Sequence, residues 1–138
     1  KELLTYAKRQ LKTYVDISFY EAGIGAEEAV VKFNKTGDTG GTVSEVGSSE
    51  IKTLTIDETV DMQVSFIKLD VEGYEKAALI GAKKSIQKYM PKMAISAYHK
   101  PQDLWELVET VKAICSDYKV YLRHYTNMCF ETDLYFIK

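Results

Sequence analysis

Val64-Ser65-Phe66-Ile67-Lys68-Leu69-Asp70-Val71-Glu72-Gly73-Tyr74-Glu75 is the stretch that decides the fold. Val64 to Val71 is a nearly continuous apolar run broken by Lys68 and Asp70, which predicts a strand buried on both faces of a parallel sheet. Gly73 then opens a helix from Tyr74 to about Met90. Its face Tyr74, Ala77, Ala78, Gly81, Ala82, Ser85 is built mainly of small residues, so the helix can lie close on a sheet. Pro91 ends it, since proline cannot continue the helical ladder. Lys92 to His99 is the next strand, and Pro101 starts a helix over Gln102 to about Ser116 with Leu104, Trp105, Val108, Val111 and Ile114 inward. Lys119–Tyr125 and Thr132–Ile137 are closing strands, and their short link makes the last pair antiparallel. Strand–helix–strand–helix–strand with short connections reads as a right-handed α/β fold, a mostly parallel sheet with an antiparallel last strand.

Upstream, Leu3, Leu4, Ala7, Leu11 and Tyr14 recur at spacings of three and four, an amphipathic helix over Lys1 to Tyr14. Val15 to Ala22 alternates Val15, Ile17 and Phe19 with polar or amphipathic neighbours and reads as a strand. Gly23-Ile24-Gly25 follows as a turn, and Glu28 to Asn34 as a second strand. Thr36 to Gly41 is a flexible loop, and Thr42 to Ile56 holds one or two short strands separated at Gly47-Ser48-Ser49.

The chain of 138 residues has the length of one domain and can bury a sizeable core. With 46% hydrophobic residues, 28% charged and only 2 prolines, disorder is excluded. A net charge of -2 leaves no basic footprint for nucleic acid. No apolar run approaches the ~20 residues of a membrane span, and Lys1-Glu2-Leu3-Leu4 carries no signal-peptide pattern. Cys115 and Cys129 are too few for a disulfide framework, so a reducing compartment and a cytoplasmic location are expected; Cys115 reads as core.

Parallel α/β sheets bind ligands beyond the carboxyl ends of their strands. Val64–Val71 delivers Asp70 and Glu72 to that edge, with Glu75 in the first turn of the following helix. Lys68 projects from the same face of the pleat as Asp70. A charge ending a buried strand needs either an ion pair, here with Lys68, or a chemical task. Carboxylates at a helix N-terminus complement its dipole by about 0.3–1 kcal/mol, which is the simplest account of Glu75 and an alternative one for Glu72. His99 ends the next strand at the same edge, where a neutral imidazole can act as general base, a hydrogen-bonding or surface role being the alternative. His124, toward the sheet margin, is a weaker candidate; Arg123, Tyr125 and Glu131 fall at the same rim, solvated, and Trp105 reads as core, a substrate-facing role being the alternative. Gly23-Ile24-Gly25 lacks the phosphate-cradling spacing, and neither a P-loop, a nucleophile elbow nor a paired-cysteine zinc spacing occurs.

Phe66 to Glu75 resembles the KxDVEGxE signature of the FkbM-type methyltransferases, a branch of the S-adenosylmethionine-dependent class I enzymes. The likeness continues through Leu79-Ile80-Gly81-Ala82, Pro91 to Ser96, Tyr98-His99, Asp103 to Glu106, Tyr121 to Tyr125 and Glu131 to Tyr135. Upstream, Ala22-Gly23-Ile24-Gly25 resembles the family's AxG turn, and Leu54-Thr55-Ile56-Asp57-Glu58 its TLDE segment. The resemblance implies a Rossmann-like class I methyltransferase fold and methyl transfer from S-adenosylmethionine to a hydroxyl of a small molecule or glycan, with no nucleic-acid or membrane partner. It places Asp70 beside the methyl and the acceptor, with His99 as base, Glu72 in the same set, and Lys68 orienting Asp70 or meeting the substrate. Ala22 and Gly23 would lie near the adenine ring. A divalent metal at Asp70 is a variant, but no metal is expected. Acceptor choice would fall to loops such as Thr36–Gly41 and Thr126–Phe130.

Class I enzymes hold the cofactor with a glycine-rich turn after their first strand and an acid ending the second. The resemblance starts at a helix like the one that follows that second strand. Residues 1–138 are therefore expected to form a single partial domain, incomplete at its N-terminal side. The fold's first two strands would lie upstream of residue 1, leaving the edge of Val64–Val71 open. Two other functions fit the residues less closely: a non-catalytic α/β binding or scaffold module, and a metal-dependent hydrolase using Asp70, Glu72 and His99.

Overall fold

Two four-stranded sheets organise the chain. The structure, a computed structural model, describes residues 2–11, 17–35, 41–43, 49–128 and 130–138. In chain order the elements are α1 (Glu2–Gln10), β1 (Gly23–Ile24), β2 (Ala29–Lys35), β3 (Gly41–Val43), β4 (Ser49–Leu54), α2 (Ile56–Thr59), β5 (Phe66–Leu69), α3 (Glu75–Ile80), α4 (Lys83–Tyr89), β6 (Lys92–Ser96), α5 (Asp103–Ile114), β7 (Lys119–His124) and β8 (Thr132–Ile137). One sheet has the order β1-β4-β2-β3, the other β5-β6-β8-β7. In the second sheet β5 and β6 are parallel, and β8 is antiparallel to both β6 and β7. So β5, β6 and β7 share a direction and only the last strand is reversed, as the sequence predicts. No helix among the described residues is long and apolar enough to cross a membrane.

The core lies on one face of this second sheet. Ile67, Leu69, Met93, Ile95, Leu134 and Phe136 pack with Ala78, Leu79, Ile86, Leu107 and Val111 from α3, α4 and α5. The expectation that Val64–Val71 is buried on both faces does not hold: β5 buries Ile67 and Leu69, while Phe66 and Lys68 are exposed. Its run looks doubly buried because the polar Lys68 stands on the open face beside an apolar neighbour, and apolar content alone does not assign a face. Leu104 and Trp105 are likewise exposed, not inward; α5 buries Asp103, Leu107 and Val111 instead. Moving the buried stripe by one residue rotates the helix about 100°, and the amphipathic pattern here tolerates either register.

Residues 17–22 form no strand, and residues 15–16 lie outside the described set. An alternating pattern needs a partner to become a strand, and only Gly23 and Ile24 reach one, pairing in parallel with Thr53 and Leu54 of β4. Residues 12–16, 36–40 and 44–48 and Cys129 also lie outside the described set, and with them the end of the first helix and most of the first predicted loop.

The single helix expected over Tyr74–Met90 is two helices that meet at Gly81-Ala82. The cause is tertiary. Asp57 caps α4 from outside, its two carboxylate oxygens accepting the amides of Lys84 and Ser85 at 2.8 Å each. Its own amide donates to the carbonyl of Gly81 at 3.0 Å. Thr55 in turn caps α2, accepting the Glu58 amide at 3.1 Å while its hydroxyl donates to the Glu58 carboxylate at 2.9 Å. A Cβ on Gly81 would collide with the carbonyl oxygen of Gly25, so glycine is what lets the β1 strand approach the helical layer.

Two stability measurements follow from this packing. Gly81→Ala should lower stability by about 1–3 kcal/mol through that collision, whereas Gly23→Ala, whose Cβ would meet Thr53 at 3.5 Å, should change the urea midpoint little. Equal midpoints for the two variants would refute the close approach. The buried Tyr118 hydroxyl donates to the Pro91 carbonyl at 2.8 Å, and burial, with a smaller push from Cys115, raises its phenol from 10.0 to about 12. The folded chain holds this proton more tightly than the unfolded one. The resulting stability is complete below pH 10.0 and lost as pH rises through about 12. Tyr118→Phe should therefore lose less stability than the parent between pH 10.0 and about 12 in urea titrations.

Candidate active site

The turn leaving β5 builds the site. Val71-Glu72-Gly73-Tyr74 closes with the Tyr74 amide donating to the Val71 carbonyl at 3.1 Å. Glu72 and Gly73 take φ of 54° and 87°, both left-handed, as the central residues of a type I′ turn do. Glycine suits the second position on two grounds: its backbone conformation, and a Cβ that would stand 2.9 Å from Lys100 Cε. The Lys100 ammonium donates to the Gly73 carbonyl, tying the turn to the end of β6.

The reversal sends Glu75 into the interior, where its side chain is 0% exposed. Its Oε1 accepts the Val71 amide at 2.9 Å and lies 2.9 Å from His99 Nδ1. His99 arrives from the end of β6, one strand over, with its side chain 10% exposed. Its Nε2 is 3.5 Å from Asp70 Oδ1 and 3.6 Å from Glu72 Oε2, on carboxylates that are 48% and 44% exposed. The imidazole thus stands between a buried carboxylate and two half-exposed ones. Among the described residues two buried side-chain atoms have no hydrogen-bond partner: Glu75 Oε2 and His99 Nδ1, the latter close to Glu75 but out of hydrogen-bonding alignment.

Tyr98 completes the wall. Its ring centroid is 4.3 Å from that of His99, and its hydroxyl donates to Asp70 at 3.2 Å. Burial first, then the Asp70 charge, pushes its phenol up to about 12, so it serves as a donor at neutral pH. Behind it, Asp103 accepts the Lys100 amide at 2.8 Å; burial raises its carboxyl, and the Glu75 charge adds to the rise against the lowering by that amide.

Asp70, Glu72 and His99 are therefore brought together as the carboxyl-edge rule predicts. Lys68 is not among them. It donates to Ser96 Oγ at 2.8 Å and pairs with Asp133 at 3.1 Å, across β6 on the open face. Asp70 escapes it because β5 ends at Leu69 and the chain leaves the pleat before Asp70. Ala22 precedes β1 and Gly23 belongs to it, in the other sheet, but the next residue, Ile24, shares a cavity of about 540 Å³ with Leu69 and Val71 on the unpaired side of β5. His124 lies at 2.8 Å from Thr132 Oγ1 and lines a second cavity, about 500 Å³, with Tyr98, Leu104 and Leu122. Arg123, Tyr125 and Glu131 are exposed, as expected. Glu75, read from the sequence as a helix-dipole carboxylate, is the residue that reading missed. Its place on the helical face of the buried Ala78 and Leu79 was the available signal.

The Methyltransferase FkbM domain family matches residues 8–125. No curated protein matches the chain. Among solved structures the chain is similar to the crystal structure of methyltransferase FkbM from Methylobacillus flagellatus KT, with a TM-score of 0.81 and 32% sequence identity. The match covers 99% of this chain and 33% of that one, so the chain spans about a third of its relative's length.

Replacing Glu75 separates its charge from its hydrogen bond. Glu75→Gln keeps an oxygen for the Val71 amide and removes a buried charge, so its urea midpoint should hold or rise. Glu75→Ala orphans that amide and should cost about 1–3 kcal/mol. Equal losses in the two variants would show that the carboxylate is needed for folding itself.

Proposed function

The chain belongs to the FkbM methyltransferase family, and on that premise we propose that it serves methyl transfer from S-adenosylmethionine to a hydroxyl oxygen of a small molecule or glycan. The observation that carries this reading is the imidazole of His99 held at the carboxyl edge between buried Glu75 and half-exposed Asp70 and Glu72. When bound, S-adenosylmethionine supplies an already activated sulfonium methyl, which leaves placement and proton removal to the protein.

The chain has groups for both tasks. The cavity of about 540 Å³ between Ile24 and Leu69 suits the adenosine side, with Ala22 and Gly23 beside it leaving room for a ring. The cavity of about 500 Å³ on the other side of Tyr98 suits the acceptor, its wall set by Leu104 and Leu122 and its rim by Lys100 and His124. Asp70, held by the Tyr98 hydroxyl, stands at the edge between them and orients the acceptor hydroxyl. The proton leaves the hydroxyl at this Asp70–His99 edge, where acid–base assistance contributes about 10²–10⁴-fold in rate. Lys68 is paired with Asp133 instead of Asp70, and as a lining residue of the first cavity it can meet the molecule bound there. The sparse cysteines, with Cys115 free, suit a reducing compartment, and we place the reaction in the cytoplasm.

Asp70→Asn and His99→Ala should each lower methyl transfer by about 10²-fold or more, read as radiolabelled methyl incorporated into a panel of hydroxylated small molecules and glycans. Calorimetric binding of S-adenosylhomocysteine should persist in His99→Ala. Undiminished transfer in both variants would remove the site from the chemistry, and a parent protein that binds neither S-adenosylmethionine nor its demethylated product would remove the reaction itself.

A further inference from the structure

Negative charge gathers around His99, and among the described residues no lysine or arginine is paired with these carboxylates. Asp70, Glu72 and Glu75 all approach the imidazole nitrogens within 3.6 Å. Among the described residues, the neighbouring ammonium groups are engaged elsewhere: Lys68 with Asp133, Lys76 with Glu106, Lys100 with the Gly73 carbonyl. A buried carboxylate needs a partner, yet Glu75, wholly buried, leaves Oε2 without one, and His99 Nδ1 beside it is also unpartnered. The free Glu75 Oε2 is what a bound ion would satisfy, and one ligating atom each from Asp70, Glu75 and His99 already lies within 4.8 Å of the others.

We propose that Asp70, Glu75 and His99 hold a divalent cation. Three ligands about 2.0–2.2 Å from one ion stand about 3.3–3.8 Å apart in tetrahedral or trigonal geometry, so the cluster must close by about 1 Å. Asp70, half exposed and past the end of its strand, can supply that movement. Glu75 is already oriented, since the Val71 amide holds Oε1 and leaves Oε2 to coordinate. One imidazole with two carboxylates favours a first-row ion such as Mn²⁺ or Zn²⁺ over Ca²⁺ or Mg²⁺. The exposed side, toward Glu72 and Tyr98, leaves coordination positions open to water or a hydroxyl. Only the consequence rests on the methyl-transfer reading: an ion here would stand beside the acceptor hydroxyl and favour its deprotonated form, with His99 as ligand. Binding itself does not depend on that reading.

The test is a titration of chelator-stripped protein with Mn²⁺, followed by the paramagnetic resonance of the free ion and by calorimetry. One ion should bind per chain, saturating well below ~1 mM, the weak end of specific divalent-ion sites. His99→Ala and Glu75→Gln should each weaken binding by about tenfold or more, and Glu106→Gln, on the surface away from the cluster, should not. Glu75→Gln keeps the Val71 hydrogen bond, and circular dichroism on each variant shows whether it has folded; if one has not, Asp70→Asn replaces it with the same expectation. No saturable binding in the parent, or binding equally strong in the folded variants, overturns the site. S-adenosylhomocysteine binding measured in the same sample separates the two readings: an ion bound without it keeps the metal site and drops the methyltransferase, and the reverse keeps only the methyltransferase.

Discussion

A single buried carboxylate organises the carboxyl edge of this protein. Glu75 accepts the Val71 amide at 2.9 Å and thereby closes the left-handed reversal that carries the chain from β5 into α3. The same oxygen lies 2.9 Å from His99 Nδ1, so the group that shapes the turn also sets where the imidazole stands. Asp70 is tied to the imidazole a second time through the Tyr98 hydroxyl, whereas half-exposed Glu72 depends on the turn alone. Local backbone geometry and site geometry are thus the same constraint.

A second constraint joins the two sheets. Asp57, in the short α2, receives amides from the start of α4 and donates its own amide to Gly81. Gly81 in turn admits the Gly25 carbonyl at a distance no side chain would permit. The outcome is that Ile24 reaches the unpaired side of β5 and forms one wall of the cavity that ends near Val71. Gly81 is explained less by its own flexibility than by the Gly25 carbonyl that must pass close to it.

How much of this could be read in the sequence depended on whether the cause was local. The strand at Val64–Val71, the helix after Gly73 and the arrival of His99 at one edge with Asp70 all rest on short-range pattern and on the direction of parallel strands, and these were legible. The break at Gly81-Ala82 was not, because its cap comes from Asp57, more than twenty positions upstream by sequence numbering. Lys68 was assigned to Asp70 by pleat alternation, but alternation ends with the strand, and Asp133 of β8 lies across the sheet where no local pattern could show it. Leu104 and Trp105 failed for a third reason: α5 carries apolar residues on more than one face, so periodicity leaves its rotation undetermined.

Glu75 was misjudged because a sufficient local explanation existed, and the reason it is insufficient says something about the site. A carboxylate at a helix N-terminus gains its dipole energy while remaining in water; nothing in that account requires it to be 0% exposed. Within one turn the chain departs from ordinary folding preferences three times over: Glu72 at positive φ, Glu75 charged and buried, and His99 with an unpartnered ring nitrogen. Each departure alone is tolerable, at about 1–3 kcal/mol. Their convergence on one imidazole, at the one edge where the topology of a parallel sheet predicts chemistry, is what an arrangement selected for folding alone would have avoided. The Lys68–Ser96–Asp133 network makes the contrast internal to the molecule. It too places charge on a sheet, but every member is paired. The charge of that network is matched locally, whereas the carboxylates beside His99 have no lysine or arginine paired with them among the described residues.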